Sequence, residues 1–303
     1  MPGPETPIHD VPPVYFVQFF QRQFLLFHFR NSIFIDFEPL LKAIDVEGIS
    51  LLQKAMKFTA MATAFTAQGA DPATYCQMGF EERFGLLVDA EWNRRQQNKL
   101  RSRIQEARLD TPSAVMEGIE YLEDRKIDKG LLLRLSNCAY IDEGHHIILS
   151  GASGCGKSYI ACALGNAACR KFYHVRYTRM RNLLDEMNLA RTEERCRKAV
   201  KALAKADLLI LDDWLLQPLT PQEVYDLLEL VEARTKHGAT IFCTQYETDD
   251  WYVRLNPTPG DDSPVTDAIM DRIVHNVYLI PLEGKSMRER HGLAGTGKDG
   301  AGT

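Results

Sequence analysis

Residues 151–158 read Gly151-Ala152-Ser153-Gly154-Cys155-Gly156-Lys157-Ser158, and this stretch decides the fold. It fits the pattern G-x-x-x-x-G-K-[ST] of a phosphate-binding loop. Glycines let backbone N–H groups turn inward and cradle phosphate oxygens where no side chain could fit. The flanks agree with that reading. Ile147-Ile-Leu-Ser150 is a short apolar run, and a helical pattern from Lys157 to Lys171 follows the loop. A strand that feeds a glycine loop and then a helix aims the positive end of the helix at the same anion. Lys157 is placed to reach the β- and γ-phosphates of ATP, and Ser158 to offer its hydroxyl to Mg²⁺. Nucleotide contacts are therefore expected from Gly151 through Ser158, with Tyr159 next along the helix.

Outward from the loop, strand and helix patterns alternate. Val175–Thr178, Leu208–Leu211 and Ala239–Cys243 read as strands, separated by helical patterns over Arg181–Leu189, Glu193–Lys205 and Pro221–Lys236. That alternation predicts an α/β fold, a parallel sheet covered by helices on both faces. The uninterrupted apolar runs fit strands buried on both sides. Leu208-Leu-Ile-Leu211 runs directly into Asp212-Asp213, so the strand delivers two carboxylates at its carboxyl end, where open α/β sheets bind ligands. Asp212 is expected in the Mg²⁺ shell. Asp213 is expected to orient or deprotonate the attacking water. Many ATPases place the longer Glu at the second position.

Upstream the chain reads as mainly α. Ile49–Gln68 is helical, Gly69-Ala-Asp-Pro72 a loop, and Phe80–Leu109 the longest helical pattern, broken by Asp110-Thr-Pro112. Residues 113–138 also read as helical. Within the long helix, Leu100, Ile104 and Ala107 form one apolar stripe. Between Glu91 and Asp110, six basic residues (Arg94, Arg95, Lys99, Arg101, Arg103, Arg108) stand against three acids. Phosphate contacts from such a face would be sequence-independent and salt-sensitive. On spacing alone a solvated helix face is an equal reading. Arg176, Arg179 and Arg181 beside Tyr177, and Arg195, Arg197, Lys198 and Lys201, are two further basic clusters. Both are weighed as solvated surface rather than the lining of an oligomer.

The length of 303 residues predicts two domains. With 45% hydrophobic and 25% charged residues, the chain is neither wholly disordered, nor collagen-like, nor a small disulfide scaffold. A net charge of −5 does not exclude a local basic patch, because binding depends on where charge sits. Seven cysteines without a Cys-x-x-Cys pair fit a reducing compartment and small buried thiols. His145 and His146 are adjacent and would point to opposite faces of a strand, which makes them poor partners for one metal. Near the start, eight of the 14 phenylalanines fall within residues 16–37. Arg22, His28 and Arg30 interrupt that run, so a membrane span is not expected, nor a signal peptide. A misplaced translation start is the expected account of it.

Several strings together carry a family resemblance. GASGCGKSYIACALG from Gly151, LLILDDWLLQPLT from Leu208, TIFCTQYETDDW from Thr240 and DAIMDRIVHNVYLIPLEGKSMR from Asp267 resemble the IstB family of helper ATPases of insertion-sequence transposons. That family belongs to the AAA+ class and is related to helicase loaders of the DnaC type. FEERFGLLVDAEWNRRQQNKLRSRIQEARL from Phe80 resembles its N-terminal region. The family usually has Pro-Thr at Ala152-Ser153, Gly at Leu215, Ser-Gln at Thr244-Gln245 and Leu-Pro at Tyr246-Glu247; none of these departures removes a catalytic group. The change at Leu215 matters most, because Gly permits backbone angles that Leu does not.

The resemblance implies three further roles: Gln245 senses the γ-phosphate, Arg272 is an arginine finger supplied to a neighbouring subunit's ATP, and Arg288 is a second phosphate sensor. It also favours duplex DNA as the ligand of Arg94, Arg95, Lys99, Arg101 and Arg103. The expected protein is an ATP-dependent transposition helper in the bacterial cytoplasm. It would assemble as a homo-oligomer with ATP at subunit interfaces, bind duplex DNA without sequence preference, and recruit a partner transposase, with no membrane involved. A helicase loader and an ATP-binding scaffold without turnover are the rival readings. The expected organisation is an aromatic-rich extension (1–46), a helical DNA-binding or oligomerisation domain (47–128), an AAA+ core (129–290) and a disordered tail (291–303).

Overall fold

The computed structural model describes residues 53–291 other than 55, 236 and 257–262. The extension expected over 1–46 and, residue 291 apart, the expected tail lie outside the described residues. The chain divides into two units, with the boundary between Arg94 and Arg95.

The first unit is helical where described. Helix α1 (Thr59–Ala70) is separated from the helical residues Gln53 and Lys54 by a break over 56–58, where Lys57 adopts a left-handed φ of 63° that a continuous helix cannot accommodate. The buried Glu91 carboxylate accepts from the N–H groups of Ala60 at 3.0 Å and Met61 at 3.3 Å. A carboxylate there satisfies donors that the first turn leaves open and complements the helix dipole. The expected loop at 69–72 is a one-residue break: Asp71 caps α2 (Pro72–Tyr75), whose proline stands at the first turn, where its missing N–H costs nothing. Helix α3 (Phe80–Ala107) follows.

The second unit begins within α3. The predicted stripe lies against the core, with Ala107 fully buried and Leu100 and Ile104 partly so. Arg108, at φ 54°, ends the helix two residues before the expected end. Residues 113–138 depart furthest from expectation. They form two short 3-10 turns (Met116–Gly118 and Glu123–Arg125) joined by extended chain, then α4 (Lys129–Leu135), and α5 (Ala139–Asp142) follows them. Tertiary packing overrides the helical pattern here. Ile119 is buried in the core, and Gly118 lies where an added Cβ would strike the Tyr159 hydroxyl.

The strands β1 (His146–Gly151), β2 (Val175–Arg179), β3 (Leu208–Trp214), β4 (Ala239–Thr244) and β5 (Val277–Leu282) form one sheet in the order β2-β3-β4-β1-β5, and every pairing is parallel. The connecting helices are α6 (Lys157–Arg170), α7 (Met180–Ala190), α8 (Glu194–Ala204), α9 (Pro221–Arg234), α10 (Thr248–Leu255) and α11 (Pro264–Val274), and α12 (Met287–His291) closes the described chain. Strands β1, β3 and β4 are buried almost throughout, as their unbroken apolar runs require. Edge strand β5 alternates instead and carries Pro281, a residue tolerated on an edge because its missing N–H breaks no ladder bond. One core packs α6 and the end of α3 on the first face, and a second packs α7, α9, α10 and α11 on the other. Trp214, Phe242 and Trp251 meet at centroid distances of 4.6, 5.5 and 5.7 Å, locking the ends of β3 and β4 to α10. Six of the seven cysteines are buried and none is bridged; burial pushes the Cys162 thiol up to about 11 and the Cys169 thiol up to about 12. No helix among the described residues is long and apolar enough to cross a membrane.

Candidate functional site

The phosphate loop connects β1 to α6, as its flanking patterns require. Gly156 caps α6 at φ 99°, a left-handed conformation that glycine enters without a Cβ penalty. A side chain there would also meet the Arg125 guanidinium at 2.7 Å. Gly154, at φ 83°, lies against Ser286, and its carbonyl accepts from Met287 N–H at 2.8 Å. Lys157 is buried at the start of α6. Its ammonium donates to the carbonyls of Gly151 at 2.7 Å and Ala152 at 2.8 Å, so the charge already sits over the loop. Ser158 and Tyr159 are half-buried beside it, while Ala152 and Ser153 are exposed at the rim.

The acid pair reaches the same edge of the sheet. Strand β4 lies between β1 and β3, with Ser150 opposite Thr244 and Trp214 also opposite Thr244. The chain after β4 therefore emerges between the phosphate loop and Asp212-Asp213, which puts the exposed Gln245 between them. Asp212 is buried, and both its oxygens are engaged. Oδ2 accepts from the Tyr177 hydroxyl at 2.7 Å, and Oδ1 from Asp213 N–H at 2.9 Å. Burial first, then the bond to Asp212, raises the Tyr177 phenol far above its ordinary range, so it is a donor at any physiological pH. Partial burial first, and the Asp212 charge second, push the Asp213 carboxyl up, against the opposing charges of Arg179, Lys157 and Arg288. A raised carboxyl is closer to the basicity that a general base needs.

The turn that presents Asp213 is strained. Asp213 and Leu215 both have φ of 55°, and the ladder between β3 and β4 shifts register between Leu211 and Trp214. The Leu215 position, where glycine is usual in the resembled family, thus does adopt the backbone that leucine disfavours. Its side chain is fully buried. Arg254 holds the turn by donating to the carbonyls of Leu215 at 2.5 Å and Leu216 at 2.9 Å, with its guanidinium 3.7 Å from the Tyr246 ring centre.

Arg125 belongs to the site although it lies in no motif. This arginine is 3% exposed, and it donates to the Cys155 carbonyl at 2.8 Å and the Glu120 carbonyl at 2.6 Å. Burial pulls its pKa down, yet a guanidinium stays charged. It pins the phosphate loop and lines a cleft with Gly118, Ile119, Tyr159 and Met287. The segment after β5 closes over the same region: Glu283 N–H donates to the Arg125 carbonyl at 3.3 Å, and Arg290 pairs with Asp124. The string LEGKSMR carried part of the family resemblance, but nothing in its pattern announced this clasp. Arg288 on α12 is exposed, and its charge is felt at Asp213.

Arg272 is elsewhere. It ends α11, pairs with Glu232 at 3.0 Å, and lines a small cavity with His146 at the start of β1. The six-residue β1 separates that edge from the phosphate loop by about 17 Å at ~3.3 Å per residue. Within one chain it does not join the site. The basic face of α3 is mixed. Arg94 is bonded to Glu91 at 2.7 Å and to the Lys57 carbonyl at 3.1 Å. Arg103 is bonded to Glu106 at 3.3 Å and His174 at 2.9 Å, and Lys99 sits 4.4 Å from the centre of the Phe172 ring. Arg95 and Arg101 are exposed.

A phosphate loop and an acid-bearing strand at one edge of this parallel sheet define a nucleotide-binding P-loop protein. More particularly, the chain belongs to the family of IstB-like ATP binding proteins, whose profile matches residues 51–294. It is 38% identical over 234 residues to an insertion sequence ATP-binding protein of Sinorhizobium fredii, covering 77% of this chain and 92% of that protein. It is 35% identical over 190 residues to the ATP-binding protein of insertion sequence IS1162 from Pseudomonas fluorescens, covering 63% and 82%. Among solved structures, the DnaC helicase loader matches 56% of this chain and 97% of its own at 16% identity and a TM-score of 0.47.

Proposed function

We propose that the protein is an ATPase that assists DNA transposition. The observation that carries this is the convergence of Lys157, Ser158, Asp212, Asp213 and Gln245 at one sheet edge, set by the β1-β4-β3 register. The fit to a nucleotide rests on the loop itself. Its glycines leave no room for a side chain, and its lysine carries a buried charge that donates to two neutral carbonyls and a thiol. Lys157 exchanges those carbonyls for β- and γ-phosphate oxygens. Ser158 and Asp212 would hold Mg²⁺, which neutralises charge on the phosphates when bound. Asp213 orients the attacking water and accepts its proton, and Gln245 senses the γ-phosphate. The cleft beside Arg125, Gly118 and Tyr159 takes the nucleoside end, and Arg288 adds positive charge near the γ-phosphate.

Arg272 acts on the ATP of a neighbouring subunit. It lies too far from its own loop to act in cis, and a finger in trans makes turnover depend on assembly. The relatives' names place them in insertion sequences; we carry that setting to this chain, with duplex DNA bound by the exposed basic residues of α3 and a transposase as the partner. In this reading the helical part before the core, expected over residues 47–128, is the DNA-binding and assembly module. The test is particle mass by light scattering with ATP, with duplex DNA, and with both. A helper that assembles on DNA grows only when both are present. A particle of the same mass under all three conditions contradicts assembly.

A further inference from the structure

The metal-facing acid of the site is held by a side chain from the sheet edge. Tyr177 lies on β2, and its register partner on β3 is Ile210, two residues before Asp212. Side chains two apart share a face, so the phenol runs along the strand and reaches the Asp212 carboxylate at 2.7 Å in buried surroundings. With Asp213 N–H on the other oxygen, the carboxylate is fixed in plane and in rotation. Arg179, the register partner of Asp212, interacts electrostatically with the Tyr177 phenol and pairs with Asp110 at 3.0 Å. Two residues of β2 are thereby fastened to the foot of α3, because Arg176 also donates to the Glu106 carbonyl.

We propose that Tyr177 is a positioning residue that sets the Asp212 carboxylate for its metal, with Arg179 and Asp110 as its outer support. This rests on the reading of Asp212 as a Mg²⁺-shell residue. Partners that orient a metal-binding carboxylate typically change metal affinity by about 10–100-fold when removed. The Arg179–Asp110 pair is half exposed, and such pairs are worth little, so its removal moves the same property less.

The experiment measures binding of a fluorescent ATP analogue to the full chain, first without metal and then as a function of Mg²⁺ concentration. Tyr177→Phe removes only the hydroxyl. It is expected to leave metal-free nucleotide affinity within about twofold and to raise the Mg²⁺ concentration at half-saturation by about tenfold. Asp110→Asn is expected to raise it by about two- to threefold. Asp212→Asn is the control for the underlying reading and should raise it more than Tyr177→Phe does. If Asp212→Asn raises the Mg²⁺ requirement and Tyr177→Phe does not, the positioning role is overturned while the site reading stands. If Asp212→Asn leaves the requirement unchanged, the site reading falls and the proposal with it. Equal losses of metal-free and metal-dependent binding in Tyr177→Phe would show a general structural role and also overturn it.

Discussion

Leu215 is where the stability of the protein and the geometry of its acid pair conflict. It has φ of 55° and a fully buried side chain. The left-handed conformation costs about 1–2 kcal/mol for a residue with a Cβ, and truncating a buried leucine costs about 2–5 kcal/mol. Leu215→Ala loses the side chain and keeps the strain. Leu215→Gly loses the side chain and releases the strain, but gains unfolded-state entropy worth about 0.4–1 kcal/mol. Both variants should therefore be destabilised by a few kcal/mol, with Gly equal to Ala or up to about 1.6 kcal/mol more stable. At an unstrained position the order is reversed. Urea unfolding of the two variants side by side, read at the midpoint with slopes compared, measures the difference. If Leu215→Ala is the more stable by the ordinary entropic margin, position 215 carries no backbone strain and the account of this turn is wrong. The same pair bears on function. Leu215→Gly frees the turn that Arg254 clamps, so turnover should fall more in Leu215→Gly than in Leu215→Ala although its stability does not.

Arg125→Met removes two buried charge-assisted bonds to the Cys155 and Glu120 carbonyls, each worth about 1.5–3 kcal/mol; nucleotide affinity should fall at least about tenfold, and unchanged affinity by fluorescence titration would deny the loop-pinning role. Burial first, and the charge of Arg234 second, bring the His146 pKa down to about 4 from 6.5. The unfolded imidazole thus takes a proton as pH falls below about 6.5 while the folded one resists until about 4. Stability is full above that window and falls by up to about 3 kcal/mol across it. His146→Gln, which keeps an acceptor for Thr240 N–H, should flatten that part of a urea-midpoint-against-pH profile. For Arg272, mixing inactive Lys157→Ala and Arg272→Ala proteins should restore part of the phosphate release, since some interfaces then pair an intact loop with an intact arginine. No recovery on mixing would contradict action in trans.

Much of the core was legible because its signals are local. The phosphate loop is a contiguous string, and the apolar runs of β1, β3 and β4 need no partner to be recognised as strands. Leu100, Ile104 and Ala107 could be assigned to a buried stripe from their spacing alone. What escaped depends on contacts between distant parts of the chain. Residues 113–138 read as helix because their composition permits one, and Lys129–Leu135 do form one, but burial of Ile119 and the contact of Gly118 with Tyr159 keep the earlier part in short turns and extended chain. Edge strand β5 has an apolar run of its own, Val277–Ile280, but Pro281 interrupts it, and a proline inside a run argues against a strand until its place on an edge is known. Arg125 and Tyr177 carry no motif; their roles exist only because the Cys155 carbonyl and the Asp212 carboxylate come within reach after folding. The basic face of α3 shows the same limit from the other side. Spacing grouped Arg94 and Arg103 with Arg95 and Arg101, whereas packing commits the first two to Glu91 and Glu106.

The central claim is that Lys157 and the acid pair form a working ATPase site. Phosphate release from ATP, measured with and without duplex DNA on the full chain and on Lys157→Ala, tests it most directly. The unaltered protein should release phosphate in a Mg²⁺-dependent reaction that DNA accelerates, and Lys157→Ala should lose release under both conditions. Equal rates for the two proteins under both conditions would contradict it.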